Sequence, residues 1–203
     1  MARFDAVVFD LGGVLVDWDP RYLYRKLFAG REAEMEQFLA SVCTTEWNSQ
    51  QDAGRSWIDA VALLQQEHPG HAEMIQAYHQ RWDEMQAGPI SGTVEILGEL
   101  RDRGWPLFAL TNWSRELFPI ARERYDFLGW FRGIIVSGEE KLIKPDPRIF
   151  ALLAERFGIV AAKTVYIDDN ADNVAAAGKF GLHAIRFTDP SALRTELEAL
   201  AIL

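Results

Sequence analysis

The stretch AVVFDLGG, residues 6–13, decides how the rest of the chain is organised. Its first four residues are apolar, with β-branched and aromatic side chains, and they predict a short buried strand. Asp10 interrupts this apolar run, and Gly12 and Gly13 after it indicate a tight turn. The stretch therefore predicts a buried strand whose carboxyl end carries a charged side chain.

Residues 17–88 differ in character from the rest of the sequence. The apolar residues there recur with helical periodicity, beginning at Asp19-Pro20, a pair typical of a helix N-terminus. This block has a net charge of −6 and holds four of the seven tryptophans and three of the four histidines. We interpret residues 17–88 as an all-helical module inserted after the first strand.

From residue 89 onward, apolar strands alternate with amphipathic helices. We predict strands at 105–110, 133–136, 164–167 and 183–187, and helices at 93–103, 114–124, 145–157, 171–180 and 191–200. Such alternation is typical of βαβ units, whose right-handed crossovers build a parallel sheet with helices on both faces. The predicted fold is an α/β, Rossmann-like core formed by residues 1–16 and 89–203, interrupted by the all-helical insertion at 17–88.

The composition of the 203 residues excludes several classes of protein. With 49% hydrophobic and 25% charged residues, the chain is not of the disordered class. Its net charge of −9 argues against nucleic acid or an anionic membrane as the main partner. The single cysteine, Cys43, excludes an intramolecular disulfide, and no apolar segment is long enough to span a bilayer. We expect a cytoplasmic protein with a small-molecule partner, monomeric, with a dimer as the alternative.

Polar side chains follow several predicted strands at the positions where those strands end. Asp10 follows the first strand, Thr111 and Asn112 follow the second, and the acidic run 168–172 follows the fourth. Lys144 precedes the helix that leads to the fourth strand. Because ligands of open α/β sheets bind beyond the carboxyl ends of the strands, we expect these groups to converge on one edge.

Carboxylates crowded at one edge repel each other unless a cation joins them. A hard divalent cation meets this need, and Mg²⁺ keeps coordination positions free for a substrate phosphate. With Lys144 and Thr111 beside it, such a site would hold a phosphoryl group. Asp10 would then be placed for nucleophilic attack on phosphorus. The sequence thus predicts a Mg²⁺ cofactor and a phosphate ester substrate.

Four motifs, in this order along the chain, resemble those of the haloacid dehalogenase-like hydrolases. They are FDLGGVL at 9–15, LTN at 110–112, KP at 144–145 and YIDDNADN at 166–173. The resemblance covers essentially the whole chain, and residues 17–88 are similar to the helical cap that one branch of the family inserts after its first motif. Within the family, the sequence most resembles the small bacterial sugar-phosphate phosphatases, including those that act on α-D-glucose 1-phosphate.

This resemblance implies a set of metal ligands. Asp10 would be both the nucleophile and a ligand, and the backbone carbonyl of Gly12 would be a second ligand. Asp169 would be the direct acidic ligand, while Asp168 and Asp172 would ligate through water or orient the site. The implied cofactor is Mg²⁺.

The resemblance also implies which groups hold the phosphoryl group. Thr111 and the backbone of Asn112 would bind phosphate oxygens, and Gly12 would lie beside the substrate. Lys144 would neutralise the charge of Asp10 and of the phosphoryl group. We therefore expect hydrolysis of a small phosphorylated metabolite, a sugar phosphate, through an aspartyl-phosphate intermediate.

One position departs from the family pattern. Most phosphatases of the family carry a second Asp two residues after the nucleophile, as the acid that protonates the leaving group, and here that position is Gly12. A positioned acid typically contributes about 10²–10⁴-fold. We hypothesise either a good leaving group, such as the anomeric oxygen of a sugar 1-phosphate, or another proton donor, for which Asp17 is a candidate. Trp18 and Trp47 are candidates to line the substrate pocket.

Other functions remain as alternatives. A 2-haloacid dehalogenase uses the same Asp nucleophile on this fold without a metal, but its last motif resembles Ser-Ser-Asn where this chain has Asp168 and Asp169. A phosphoglucomutase-type transferase is disfavoured because Gly12 removes the acid that transfer needs. A catalytically silent binding protein is supported by Gly12 alone, and Asp10 and Lys144 argue against it.

Overall fold

The computed structural model describes residues 4–203, so the first three residues of the predicted core segment 1–16 lie outside it. The strands are β1 (Ala6–Phe9), β2 (Val16–Trp18), β3 (Gln86–Pro89), β4 (Leu107–Thr111), β5 (Gly133–Val136), β6 (Thr164–Asp168) and β7 (His183–Arg186). The α-helices are α1 (Arg21–Phe28), α2 (Glu32–Ser41), α3 (Thr45–Asp52), α4 (Trp57–Glu67), α5 (Ala72–Gln80), α6 (Ser91–Asp102), α7 (Phe118–Arg124), α8 (Ser137–Glu140), α9 (Pro147–Phe157), α10 (Ala171–Phe180) and α11 (Pro190–Ala199). Short 3₁₀ helices lie at Pro69–His71, Trp82–Met85, Asp126–Trp130 and Ala161–Lys163.

The core is a parallel five-stranded sheet in the order β5-β4-β1-β6-β7. β1 lies at its centre, and residues 7–9 have no exposed surface because both neighbouring strands and both helical layers cover them. Phe9 lies beside Ala109 of β4 and Ile167 of β6. The residues that follow these three positions therefore meet at one edge of the sheet.

Alternate side chains of β1 enter two different apolar clusters, as expected for a strand covered on both faces. Val7 and Phe9 belong to the larger cluster, which includes Leu97 of α6 and the apolar residues of the insertion. Val8 belongs to the other cluster, with Phe150 of α9. Helices thus cover both faces of a parallel sheet, and the predicted α/β, Rossmann-like fold is confirmed.

The insertion at 17–88 contains α1–α5, and a two-stranded antiparallel pair lies at its base. In that pair, Val16 of β2 lies opposite Pro89 of β3. The sequence analysis did not predict these strands. Each has only three or four residues, and β3 contains Gly88 and Pro89, so no alternating pattern could develop.

An aromatic cluster forms the interior of the insertion. Tyr24 contacts Phe38 and Tyr78, and Tyr78 stacks on Trp57, with ring centroids 5.0–6.1 Å apart. Helix α1 begins at Arg21 with Pro20 as its N-cap, one residue later than the predicted start, and Asp19 Oδ1 accepts the backbone N–H of Arg21 at 2.8 Å. This aromatic interior is continuous with the larger apolar cluster on one face of the sheet.

The predicted elements of the core differ from the observed ones mainly at their ends. The largest difference is α7, predicted at 114–124, which begins at Phe118 with Pro119 in its first turn. Proline lacks the N–H that an interior helix position needs, so it is accommodated at the helix start. Among residues 4–203, no helix has the length and apolar character needed to cross a membrane.

Candidate active site

Three carboxylates meet at the carboxyl edge of the sheet. Asp10 directly follows β1, Asp168 is the last residue of β6, and Asp169 comes next. One ligand oxygen from each lies within 4.8 Å of the others. Parallel pairing of β1 with β6 brings these residues together, as the sequence analysis predicts.

Lys144 joins two of these carboxylates. Its Nζ lies 2.8 Å from Asp10 Oδ1 and 2.7 Å from Asp168 Oδ2, and the residue is only 2% exposed. Asn112 fixes the backbone of Lys144 through a reciprocal pair of bonds. The Lys144 N–H donates to Asn112 Oδ1 at 2.8 Å, and Asn112 Nδ2 donates to the Lys144 carbonyl at 2.9 Å. The amide side chain therefore positions the ammonium group.

Asp168 accepts hydrogen bonds from donors on several sides. The Tyr166 hydroxyl donates to Oδ2, the Asn170 N–H donates to Oδ1 at 2.8 Å, and Asn173 Nδ2 contacts both oxygens at 3.1 Å. Burial alone would raise the pKa of Asp168, but Lys144 and these donors outweigh it and lower the pKa. Asp168 is therefore an anchored anion that holds Lys144.

The ionised forms of the other two carboxylates, Asp10 and Asp169, are disfavoured in their surroundings. Burial raises the pKa of Asp10 to about 8, against the lowering effect of Lys144 and with further repulsion from Asp168. Asp169 is exposed at the sheet edge, but partial desolvation of its carboxylate and the charge of Asp168 also raise its pKa. Burial acts to lower the pKa of Lys144, but its two acidic partners outweigh burial and raise it. One ammonium group thus faces three carboxylates.

The oxygen ligands offered by these carboxylates fit a hard divalent cation. All the converging side-chain donors are carboxylate oxygens, which Mg²⁺ prefers over nitrogen or sulfur ligands. Burial is the main cause of the raised pKa values of Asp10 and Asp169, and neighbouring carboxylates add to it. A cation bound beside them would favour their ionised forms. Because Asp168 is already occupied by protein donors, Asp10 and Asp169 are the better direct ligands.

The two glycines after Asp10 differ in their surroundings. Gly13 has a φ of +73°, and a Cβ there would lie 2.4 Å from Asp169 Oδ2, so a larger residue would require the Asp169 side chain to move. A Cβ on Gly12 would meet nothing within 4 Å. The position at which the family usually carries a second Asp therefore opens onto free space.

The remaining predicted site residues are not all part of the carboxyl edge of the sheet. Thr111 ends β4 and is buried next to the sheet edge, with Asn112 directly after it. Asp172 is exposed in the first turn of α10 and is not part of the carboxylate cluster. Asp17 accepts the Tyr22 hydroxyl on both oxygens at 2.9 Å.

A cavity of about 410 Å³, including its mouth, lies between the insertion and the core beside Gly12. We call it the indole cavity, because four of its lining residues are tryptophans. Its apolar lining consists of Trp18, Trp57, Trp82, Trp113 and Leu117. Its polar lining consists of Gly12, Asn48, Asp52, Asn112 and Ser114. Its lining of aromatic rings with a few polar groups is typical of small-molecule sites.

The sequence analysis anticipated only part of this cavity. Trp18 lines it, as proposed, but Trp47 is not among its lining residues. Trp47 packs edge-on against Trp57 and Tyr78 inside the insertion. Asp52 was missed because it lies in a helix of the insertion without any recognisable motif around it, and only the packing of α3 against the core brings it to the cavity.

Asp52 differs from an ordinary surface carboxylate. It is half-buried, and Asn48 Nδ2 donates to its Oδ2 at 3.1 Å. Burial raises the pKa of Asp52 to about 7, although the Ser114 backbone N–H and the charge of Lys144 act to lower it. Near neutral pH, Asp52 therefore exists in both protonation states.

Comparisons with known proteins agree with this architecture. The sequence profile of the haloacid dehalogenase-like hydrolases matches residues 4–181. The chain is 27% identical to the sesquiterpene phosphatase astK of Aspergillus oryzae over 199 residues, which are 97% of this chain and 96% of that protein. It is 27% identical to (S)-2-haloacid dehalogenase 1 of a Pseudomonas species, over 56% of this chain and 47% of that one. Its fold resembles that of a predicted HAD-like family hydrolase from Porphyromonas gingivalis, with a TM-score of 0.72 and 20% identity over 96% of this chain and 98% of the other.

Proposed function

The chain belongs to the haloacid dehalogenase-like hydrolases, and from this premise we propose that it is a Mg²⁺-dependent phosphatase. Its substrate would be a small phosphate monoester, and the reaction would proceed through a phosphorylated Asp10. The finding that carries this proposal is the cluster of Asp10, Lys144, Asp168 and Asp169, in which one buried ammonium group faces three carboxylates.

The acidic pair at the end of β6 favours phosphate chemistry over dehalogenation. A dehalogenase needs no cation, and in its site the uncompensated charge of Asp169 would only oppose ionisation of Asp10. The extent of similarity points the same way. The phosphatase relative aligns over 97% of this chain, whereas the dehalogenase relative aligns over 56%.

In the proposed reaction, a carboxylate oxygen of Asp10 attacks phosphorus. A bond forms between the Asp10 carboxylate oxygen and phosphorus, which gives an acyl phosphate, as the bond between phosphorus and the substrate's ester oxygen breaks. The leaving oxygen takes a proton and becomes an alcohol. Water then attacks the phosphorus, which releases inorganic phosphate and restores the Asp10 carboxylate. Lys144 balances the charge of Asp10, while the Thr111 hydroxyl and the Asn112 backbone N–H bind phosphoryl oxygens.

We propose that Asp10, Asp169 and the Gly12 carbonyl hold the Mg²⁺, with Asp168 ordering the site through Lys144. The bound cation would compensate the acidic charge and withdraw electrons from the phosphoryl group. Asp10 would then ionise near neutral pH, as a nucleophile must. Gly13 is part of this arrangement because its missing side chain leaves room for Asp169.

We propose the insertion, residues 17–88, as a cap on a core of residues 1–16 and 89–203. The indole cavity between them would take the organic part of the ester. Its aromatic rings and neutral amide side chains support an uncharged leaving group that carries hydroxyl groups, such as a sugar.

The proposal is tested with a panel of phosphate monoesters assayed with Mg²⁺ and with EDTA. Sugar 1-phosphates, sugar 6-phosphates, isoprenyl phosphates and 2-chloropropionate would be compared. We expect hydrolysis of sugar phosphates that requires Mg²⁺ and is abolished by Asp10→Asn. Asp59→Asn, an exposed acid of α4, serves as the control with unchanged activity.

Each alternative has its own outcome in this panel. Chloride release from 2-chloropropionate in EDTA would establish a dehalogenase instead. Mg²⁺-dependent hydrolysis confined to isoprenyl phosphates would retain the phosphatase but refute the sugar. The absence of turnover on every compound, with the protein folded, would refute the enzyme and favour a binding protein.

A further inference from the structure

We propose that Asp52 of α3 is the proton donor for the leaving group, supplying from the insertion the acid that is missing at Gly12. This inference rests on the proposed phosphatase function. It adds a catalytic residue outside the motifs that identify the family.

The first observation is the relation between Gly12 and the indole cavity. The direction in which a side chain at Gly12 would extend is empty for at least 4 Å. Gly12 and Asp52 line the same cavity, and Asp52 is the only acidic residue in its described lining. A leaving oxygen released beside Gly12 would therefore have one carboxyl group within the same enclosed space.

The second observation is that the core holds Asp52 in place. The Ser137 hydroxyl, at the start of α8, donates to the Asp52 carbonyl at 2.6 Å. The same hydroxyl accepts the Trp113 N–H at 2.9 Å, so it is oriented by the loop that follows β4. The C-terminal end of α3 is thereby tied directly to two segments of the active-site edge.

Further contacts restrict this junction. Trp57 Nε1 donates to Ser114 Oγ at 2.9 Å, and the Trp57 backbone N–H donates to Glu116 Oε1 at 3.2 Å. A Cβ on Gly54 would lie only 3.1 Å from the Gly138 carbonyl, so the two backbones approach closely. A catalytic acid needs such fixed placement, and these bonds provide it on a segment remote in sequence.

The chemistry of Asp52 suits the role. Its raised pKa, about 7, keeps a useful fraction of the carboxyl group protonated at neutral pH. Asp52 would give its proton to the leaving ester oxygen as the bond to phosphorus breaks. The resulting carboxylate would then take a proton from the water that attacks the phosphorylated Asp10, so the acid is restored in each cycle.

Asp17, the donor considered from the sequence, is less suited. Both of its oxygens already accept the hydroxyl of Tyr22, and it is not among the residues that line the indole cavity. Asp52 lines the indole cavity and carries a half-buried carboxyl group, with Asn48 Nδ2 and the Ser114 backbone N–H as its neighbouring donors. The structure thus favours a donor from α3 over one from β2.

The test compares leaving groups in Asp52→Asn. p-Nitrophenolate leaves without protonation, whereas the alkoxide of a sugar 6-phosphate does not. We expect kcat/KM for the sugar ester to fall by about 10²–10⁴-fold, and that for p-nitrophenyl phosphate to change by less than about threefold. Asp52→Glu, which keeps an acid, should recover part of the activity on the sugar ester, and Asp59→Asn should match the wild type on both.

Equal losses on both esters in Asp52→Asn would overturn the inference, because a structural role does not depend on the leaving group. Unchanged activity on the sugar ester would also overturn it. In either case, Mg²⁺-dependent hydrolysis by the wild type would leave the proposed function intact. If the wild type hydrolyses neither ester, the proposed function fails and the role of Asp52 fails with it. If Asp52→Asn does not fold, kcat/KM of Asp52→Glu on the two esters decides the question. A proton donor displaced by one methylene must lower kcat/KM more for the sugar ester than for p-nitrophenyl phosphate.

Discussion

The Ser137 hydroxyl donates a 2.6 Å hydrogen bond to the Asp52 carbonyl, across the junction between the core and the insertion. Ser137 follows β5 directly, so this bond links the end of α3 to the active-site edge of the sheet. The acid of the indole cavity is therefore positioned by the core and not by the insertion alone.

Replacing Ser137 with Ala should loosen this junction. We expect Asp52 to lose its fixed placement, so kcat on a sugar phosphate should fall by about tenfold while KM changes less. The substitution removes two hydrogen bonds, one to the Asp52 carbonyl and one from the Trp113 N–H, and should cost about 1–3 kcal/mol of unfolding free energy. Steady-state kinetics and urea unfolding measure both effects. Ser41→Ala, which removes an exposed hydroxyl at the end of α2, is the matched control; a loss of kcat there as large as in Ser137→Ala would contradict the prediction.

Asp52→Asn should stabilise the protein in a pH-dependent way. The pKa of Asp52 is about 7 in the folded protein against an ordinary value of 3.8, so the folded state holds this proton over a wider pH range than the unfolded state. Wild-type stability therefore falls as pH rises from about 4 to about 7, and the variant removes this loss. We expect the advantage of the variant to grow with pH to about 4 kcal/mol above pH 7.

The measurement is urea unfolding of the wild type and Asp52→Asn at pH 4, 6 and 8. Lys144 is the charged neighbour that acts against the raised pKa, and it stays charged over this range. A stability difference that is the same at all three pH values would show that Asp52 has an ordinary pKa.

Lys144→Met should disable and destabilise the protein together. The substitution leaves Asp10 and Asp168 buried without their shared cation, which costs about 3–5 kcal/mol. Loss of one charged group at the phosphoryl site should lower kcat by at least about 10²-fold. Thermal melts and phosphatase assays measure these effects. Lys163→Met breaks only a half-exposed pair with Asp5 and should cost less than about 1 kcal/mol.

Gly13→Ala should weaken Mg²⁺ binding. The new Cβ would lie 2.4 Å from Asp169 Oδ2, and the φ of +73° also disfavours alanine. Asp169 must therefore move, and the Mg²⁺ concentration for half-maximal activity should rise by about tenfold or more. Gly178→Ala in α10, where an added Cβ meets no atom within 4 Å, is the control. An unchanged Mg²⁺ requirement in Gly13→Ala would argue against Asp169 as a ligand.

Cys43 should be chemically inert in the folded protein. Burial raises the pKa of its thiol to about 12, against a small opposing effect of a hydrogen bond with Tyr24. At pH 8 the reactive thiolate is therefore scarce as well as inaccessible. A thiol reagent such as DTNB should react with the protein only in denaturant. Rapid reaction of the native protein would contradict this prediction.

Much of the active site could be predicted because the sheet is parallel. Asp10 directly follows the buried strand β1, and Asp168 ends the parallel strand β6, so both residues must lie at the same edge of the sheet. The convergence of distant motifs therefore followed from their positions at the ends of strands. The same reasoning accounts for Thr111, the last residue of β4, and for Asn112, which directly follows it. The convergence of these residues needed no knowledge of side-chain packing.

The details of each role depended on contacts that have no sequence pattern. Asp168 and Asp169 are adjacent in sequence and look equivalent, yet Asp168 is surrounded by donors and Asp169 is exposed. Asn112 was expected to contribute its backbone, and its side chain also holds Lys144. These differences arise from where the chain turns after each strand.

The sequence alone determined the α/β fold and the motifs that meet at the sheet edge, because periodicity and the positions of residues after strands are local properties. Only the tertiary structure decided which residues of the insertion face that edge. Asp52 reaches the indole cavity because α3 packs against the core through Ser137. Asp17, the candidate from the sequence, does not line this cavity. Packing between segments that are distant in sequence depends on shape and on single hydrogen bonds, and neither leaves a periodic pattern in the sequence.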